Sequence, residues 1–273
     1  MANKQIIADE LFNKHFELLD FSTNNQDLPI VLLAGGIHGN EIRGIEAVSH
    51  LVQSLKKNDN PLISNILSKI RLYVIPRLNV VGNLAGARCC PQSGEIIQYN
   101  EETQEVILPQ DQKGSMKIPQ GWADPNRLWN DNVTLAKMHL DKAIKSLPRK
   151  PDLVIFPHDW AATQPIVKIY ERNTTYANTV KEVQSLLGKY YPSRTPFGKQ
   201  WDFVRAAVAQ DDFENLSFEL LEQEGIPSFV IETYLHSDLS VLVHYQILLY
   251  VLSSLGNENH CDLVKKAYQS KYQ

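Results

Sequence analysis

Short apolar runs, each bounded by glycine, proline or charge, recur along the chain. Ile30–Ala34 (IVLLA), Arg71–Pro76 (RLYVIP), Asp152–Phe156 (DLVIF) and Ser228–Ile231 (SFVI) show no alternation of apolar with polar residues. That is the pattern of strands covered on both faces. Between them the period becomes helical. Glu41 to about Lys56 sets Ile42, Ile45, Val48, Val52 and Leu55 on one stripe. Val133–Leu147 offers Leu135, Met138, Ile144 and Leu147 to a core and is closed by Pro148 and Pro151, while Leu239–Leu255 is apolar almost throughout. Shorter helices are expected over Leu62–Lys69, Thr174–Leu187, Glu214–Glu224 (stopped by Gly225) and Leu263–Tyr272. Further strands are expected over His15–Phe21, as an edge, and over Ile166–Tyr170, and Pro192–Gly198 reads as a loop. Strands alternating with helices predict an α/β sandwich with a largely parallel sheet.

From Leu78 to Trp129 the period is lost, and glycines and prolines punctuate the chain. A long irregular stretch inside a compact domain is either functional or disordered. Residues 92–120 read as an inserted hairpin or lid, with the flanks near Arg88 and at Asp124–Arg127 as walls of a site. No repeat or low-complexity tract appears, and one domain over residues 1–273 is expected.

Composition narrows the function classes. With 43% hydrophobic and 21% charged residues, the 273-residue chain is that of an ordinary globular protein. A net charge of −4 and a pI near 6.1 argue against nucleic acid or an anionic membrane as the main partner. MANKQIIADELFNKHF carries no secretory pattern, and no apolar span is long enough to cross a bilayer, so a cytoplasmic location is expected. Three cysteines are too few for a disulfide framework. Cys89 and Cys90 are adjacent and could bridge only through a strained ring, so they read as reduced thiols.

The chemistry centres on Leu28–Gly44, LPIVLLAGGIHGNEIRG. His38 and Glu41 follow a buried strand and a glycine turn and open a helix. Residues three apart on a helical turn share a face, so an imidazole and a carboxylate can grip one ion there. The carboxyl edge of an open α/β sheet is where ligands bind. His158 follows another buried strand, and the carboxyl ends of strands in one sheet converge. Two histidines and a glutamate form a catalytic zinc set that leaves one position open. Glu232 ends the last buried strand, where desolvation raises a carboxyl pKa toward that of a general base. Arg88 and Arg127 are candidates to meet negative charge. Asn126 supplies another donor, and Asp124 can accept the remaining N–H of a metal-held histidine. Each residue alone has an ordinary alternative: a helix cap, a loop histidine, a strand end meeting solvent, a surface arginine. The remaining histidines (His15, His50, His139, His236, His244, His260) keep that ordinary reading.

Taken together, HGNE (His38–Glu41), Arg88, DPNR (Asp124–Arg127), His158 after an apolar strand and Glu232 resemble the zinc carboxypeptidase superfamily. That grouping includes the metallocarboxypeptidases and the aspartoacylase/succinylglutamate desuccinylase deacylases. The resemblance holds in order and approximate spacing over about Pro29–Thr233. It implies a three-layer α/β sandwich, with a mixed, mostly parallel sheet between helix layers. It implies one Zn²⁺ on His38, Glu41 and His158, and Glu232 as the base toward the attacking water. It further implies Arg88 at the oxyanion, and Asn126 with Arg127 holding a substrate carboxylate. The sequence departs from the family in three places. The interval from Arg88 to Asp124 is long, which leaves Arg77 as the alternative arginine. The third ligand comes as Pro-His-Asp, without an acidic residue just before it. PRLNVVG (Pro76–Gly82) only approximates the family's asparagine-proline turn.

The leading expectation is a zinc metallopeptidase of carboxypeptidase type, cutting an amide beside a free carboxylate in a small peptide. An N-acyl amino acid deacylase shares the metal set and the carboxylate clamp. Such deacylases carry a further C-terminal domain, and about forty residues after Glu232 leave no room for one. A non-catalytic metal- or peptide-binding relative is the alternative of another class. A nucleotide-binding protein is disfavoured, because Gly35-Gly36 belongs neither to G-x-G-x-x-G nor to a phosphate loop ending in Lys-Ser/Thr. Pocket residues that select the substrate are expected within 184–218. Nothing in the sequence indicates an oligomeric state.

Overall fold

The computed structural model describes residues 3–58, 61–109, 118–127, 134–160, 166–170, 216, 220–234 and 238–255. Its centre is a six-stranded sheet in the order β10-β11-β9-β3-β4-β2. These strands are β2 (Leu19–Asp20), β3 (Ile30–Ala34), β4 (Arg71–Ile75), β9 (Leu153–Trp160), β10 (Ile166–Tyr170) and β11 (Ser228–Tyr234). β11, β9, β3 and β4 run parallel, and the two edge strands, β10 and β2, are antiparallel to their neighbours. The four parallel strands therefore deliver their carboxyl ends to one edge.

All five residues of β3 are buried because helices cover both faces of the sheet. Ile30, Leu32 and Ala34 turn toward one face, where they join Tyr73, Ile75, Val154, Phe156 and Val230. That face is covered by α1 (Ala8–His15), α4 (Val80–Leu84) and α5 (Leu135–Ser146). Val31 and Leu33 turn the other way and meet α2 (Ile42–Lys57), α3 (Pro61–Leu67) and α6 (Asp238–Leu255). Each fully buried leucine or isoleucine contributes roughly 1.5–3 kcal/mol relative to exposure.

A second, three-stranded sheet packs β1 (Lys4–Ile7) against the hairpin β6 (Ile96–Asn100) and β7 (Glu105–Ile107), in the order β1-β6-β7. A short pair, β5 (Cys90–Pro91) with β8 (Trp122–Ala123), joins the two ends of the irregular segment. The stretch 92–120 thus contains a hairpin, tied to the amino terminus. Residues 110–117 lie outside the described part.

Several sequence expectations need correction. His15–Phe21 is not one strand: His15 closes α1, and only Leu19–Asp20 pairs at the sheet edge. Neither α1 nor β1 was expected. Ile42 is 51% exposed rather than part of the buried stripe, because the face of α2 toward the sheet runs through Gly44, Ala47, Val48, Leu51, Val52 and Leu55. Met138 is likewise exposed, since α5 buries Leu135, Ala136, His139, Leu140, Ala143 and Ile144. The strand predicted to stop at Phe156 continues to Trp160, and the one predicted to stop at Ile231 continues to Tyr234, because β9 and β11 pair with each other over that whole length. Of Glu214–Glu224, Leu216 is helical and Leu220–Glu224 is a π-helical turn. Thr174–Leu187, Pro192–Gly198 and Leu263–Tyr272 fall outside the described residues. Among the described residues, no helix is long and apolar enough to cross a membrane.

Candidate metal centre

The site lies at the carboxyl edge of the parallel strands. After β3 the chain turns and reaches His38, then Glu41, the residue that starts α2. Gly39 between them sits flush against α4 itself: a Cβ there would fall 2.0 Å from the Gly82 carbonyl carbon and 2.2 Å from the Asn83 nitrogen. Only glycine allows that approach, so the loop carrying His38 is seated directly on the segment that leads to Arg88. The seat is locked by Asn83, whose Nδ2 donates to the Gly39 carbonyl at 2.9 Å.

His38, Glu41 and His158 converge. His38 Nδ1 lies 2.5 Å from Glu41 Oε1, and His158 Nδ1 lies 3.0 Å from Glu41 Oε2. All three residues are at least 96% buried, and their ligand atoms lie within 4.8 Å of one another. Nε2 of His38 lies 2.9 Å from Asp124 Oδ1. An ionised carboxylate only accepts, so His38 Nε2 carries the hydrogen between them, which leaves Nδ1 as the ring atom on the Glu41 side. Asp124 is itself held by Arg88, whose Nε donates to Oδ2 at 3.0 Å, and by the Asn126 backbone N–H at 2.9 Å from Oδ1. Arg88 Nη1 also reaches Glu41 Oε1, at 3.4 Å.

The electrostatics follow from this crowding. Burial alone would push the His38 pKa down, but the Glu41 carboxylate and the Asp124 hydrogen bond outweigh it, and the pKa is raised. Burial would likewise push Glu41 up, but the charges of His38 and His158 hold it far below the ordinary carboxylate range. Asp124 is depressed for the same reason, against its own burial, by His38 and Arg88.

Zinc fits this pocket on the chemistry of the donors. Two imidazole nitrogens and one carboxylate, all buried and facing one another, form a catalytic zinc set. Nε2 of His158 is buried and has no hydrogen-bond partner among the described residues, so that ring is not placed as an ordinary core histidine would be.

The other sequence-predicted residues divide. Glu232 is paired in register with His158 on the neighbouring strand, and its side chain lies outside the described part. Of the two arginines in question, Arg88 stands against the carboxylates, whereas Arg77 donates to Asn83 Oδ1 at 2.9 Å and braces the loop. Asn126 accepts from the Leu216 N–H at 3.3 Å, and Arg127 is exposed with Nη1 on the Asn126 carbonyl.

Three residues near the site carried no functional reading in the sequence. Asn79 caps α4 by accepting from the Gly82 N–H, and its Nδ2 donates to the Arg88 and Cys89 carbonyls at 3.3 and 3.1 Å. The asparagine of NVVG therefore fixes the backbone that aims Arg88. Asp159 follows His158 directly, and the His-Asp dipeptide was its only trace. His244, from the middle of an apolar helix, lies with Nδ1 3.7 Å from Asp159 Oδ1 and Nε2 3.3 Å from the Ile231 carbonyl. Burial pushes its pKa down to about 4.

Comparison with known proteins agrees with this arrangement. The zinc carboxypeptidase family model matches residues 6–137, just under half of the chain. A metallopeptidase candidate from Shewanella baltica OS155 superposes with a TM-score of 0.53 at 14% identity, over 92% of this chain and 86% of that one. A carboxypeptidase A candidate from Shewanella denitrificans OS-217 gives 0.59 at 12% identity, over 92% and 68%. A metallo-carboxypeptidase from Burkholderia cenocepacia gives 0.53 at 13% identity, over 87% and 64%. At such identities these likenesses show the fold alone. No curated protein matches the sequence. The part of the chain similar to zinc carboxypeptidases includes His38, Glu41, Arg88 and Asp124.

Proposed function

We propose that the protein is a single-domain zinc hydrolase of carboxypeptidase type, built as the three-layer sandwich of its family, which removes a residue bearing a free carboxylate from a small peptide. The observation that carries this reading is the buried convergence of His38, Glu41 and His158, with Asp124 orienting one imidazole and Arg88 beside them. One Zn²⁺ held by those three side chains supplies Lewis-acid chemistry, acidifying water and polarising a carbonyl.

The chain's own residues do the rest. Asp124 fixes the His38 tautomer by accepting its Nε2 hydrogen, so that Nδ1 offers a lone pair. Arg88 is 29% exposed at its side chain, so its guanidinium meets both solvent and site, and it stabilises negative charge developing on the carbonyl oxygen. Asn126 and Arg127 take the substrate's terminal carboxylate, for which the planar guanidinium fork of Arg127 is suited. Glu232, in register beside His158, is the general base that removes the proton of the attacking water and passes it to the leaving amine.

The test is a pair of assays on the zinc-loaded protein, one for release of C-terminal amino acids from short peptides and one for hydrolysis of N-acyl amino acids. Release from peptides alone is expected. Turnover of only the acylated amino acids would assign the deacylase reading instead. Glu232→Gln should lower kcat by at least about 10²-fold, the lower end of what general acid–base groups contribute, while zinc stays bound. Wild type and variant equally inert on every substrate would leave a binding protein.

A further inference from the structure

Helix α2 begins without a cap of its own. Glu41 occupies the N-cap position, yet its side chain makes no hydrogen bond to the helix, and no acidic residue stands in the first turn. A helix start leaves several backbone N–H groups unsatisfied, and when buried they need acceptors. The acceptor here comes from another strand. Asp159 Oδ2 accepts from the Arg43 N–H at 2.8 Å, and Oδ1 accepts from the Gly44 N–H at 2.9 Å. The same residue's backbone N–H donates to Glu41 Oε2 at 3.1 Å. His244 on α6 backs it, with Nδ1 3.7 Å from Oδ1.

We propose that Asp159 is a positioning residue for the metal centre: it caps α2 from the end of β9, which releases Glu41 from capping and holds Glu41 and His158 at ligand separation. This rests on the zinc reading of the site. The logic is a division of labour between two carboxylates. A glutamate at the start of a helix has its own first-turn amides as near competitors for any cation. Asp159 occupies those amides with both oxygens, so the Glu41 carboxylate is left to the two imidazoles. Because Asp159 adjoins His158, one stretch of backbone sets both the cap and the third ligand. The close packing of α2 on β9 completes the clamp: a Cβ on Gly44 would come 3.2 Å from the Pro157 carbonyl oxygen and 3.6 Å from Asp159 Oδ1.

The experiment measures zinc affinity by chelator competition, and the absorption spectrum of the cobalt-substituted protein, for wild type, Asp159→Ala, Asp159→Asn and Gly44→Val. Thr134→Ala is the control, because Thr134 caps α5 through the Lys137 N–H, away from the three ligands. Removing an outer-shell partner of a metal ligand costs on the order of 10–100-fold in affinity. Asp159→Ala should show that loss together with an altered cobalt band. Asp159→Asn, which keeps one acceptor oxygen, should fall between it and wild type. Gly44→Val, with Asp159 intact but α2 displaced, should weaken zinc in the same direction. Thr134→Ala should lose thermal stability with affinity and spectrum unchanged. If wild type binds zinc and Asp159→Ala binds it equally well with an unchanged cobalt spectrum, the proposal is overturned and the zinc site stands. If zinc affinity falls as far in Thr134→Ala as in Asp159→Ala, the effect is general destabilisation and the proposal is overturned. A wild-type protein that holds no zinc overturns the reading of the site and the proposal with it.

Discussion

The two ends of the same strands treat buried charge in opposite ways. At the amino end, Asp152 accepts the Ile30 N–H at 2.8 Å and pairs with Arg149 at 2.7 Å, so its carboxylate is satisfied where β3 and β9 begin. Arg71, the first residue of β4 and 95% buried, gives its terminal nitrogens to neutral acceptors, Gln26 Oε1 at 3.3 Å and the Tyr73 hydroxyl at 3.1 Å. These contacts stitch strand ends together, and the Arg71 Nε is left buried with no hydrogen-bond partner among the described residues. At the carboxyl end, His38 and His158 crowd the Glu41 carboxylate, their Nδ1 atoms 2.5 and 3.0 Å from its two oxygens. The amino end spreads its polar groups along the strand starts, whereas the carboxyl end gathers three buried side chains whose donor atoms lie within 4.8 Å of one another. The difference separates a structural polar cluster from a functional one without reference to residue type.

The sharpest way to break the comparison is to remove Arg88. Its Nε holds Asp124 and its Nη1 reaches Glu41. Loss of a donor aimed at a developing oxyanion costs about 10²–10³ in kcat, roughly 2.7–4 kcal/mol. Arg88→Ala should therefore lose kcat by that factor, with KM for a short peptide changed much less and the metal still bound. Steady-state kinetics read the split. A loss confined to KM would instead place Arg88 in ground-state binding of the substrate.

The corresponding break at the amino end is Asp152→Ala. It leaves the Ile30 N–H without its acceptor and Arg149 without its carboxylate, with the Leu28 carbonyl still accepting from Arg149. The expected loss is about 1–3 kcal/mol of folding stability, measured by denaturant midpoint. Zinc affinity and kcat should stay at wild-type values. If Asp152→Ala weakens zinc, the two ends are coupled through β3 and β9, and the contrast between them fails.

Much of this was legible in the sequence because apolar runs fix which strands are central and the i, i+3 spacing fixes the His38–Glu41 pair. What was not legible arises from partners far along the chain. His158 was read as lying past a strand, since PHDW is polar and carries a proline, but pairing with β11 extends β9 through it. Met138 was read as core because it fits a helical stripe. The stripe that faces α1 instead runs through His139, whose ring stacks on Phe12 at 4.2 Å between centroids. β1 pairs with β6 some ninety residues away, and a four-residue strand, KQII, is too short to carry a period that announces it. Asp159 meets the Arg43 and Gly44 amides and, through its own N–H, Glu41, while His244 lies against Asp159, relations that no spacing encodes.

The smallest effect sharpens the comparison through pH. In the metal-free protein the His38 pKa is raised above its ordinary 6.5. A raised pKa contributes stability that is fully present below the unfolded-state value and is lost as pH rises through the folded-state value. The metal-free protein should therefore lose stability as pH climbs above 6.5 and His38 sheds its proton, leaving Glu41 buried without that charge beside it. Zinc binding runs the other way, because the ligand imidazoles must be neutral and the proton competes with the metal. Thermal melts of metal-free and zinc-loaded protein between about pH 6 and 9 should diverge, the first falling while the gap between them widens. One kcal/mol corresponds to roughly 2–4 °C in a domain of this size class, so a divergence of a few degrees is measurable. His38→Gln should remove the alkaline loss in the metal-free protein together with the zinc-dependent gain, while Asp152→Ala should preserve both slopes at a lower midpoint. Parallel melting curves for the two forms of the wild type would show that no proton at the carboxyl end stands in for a cation.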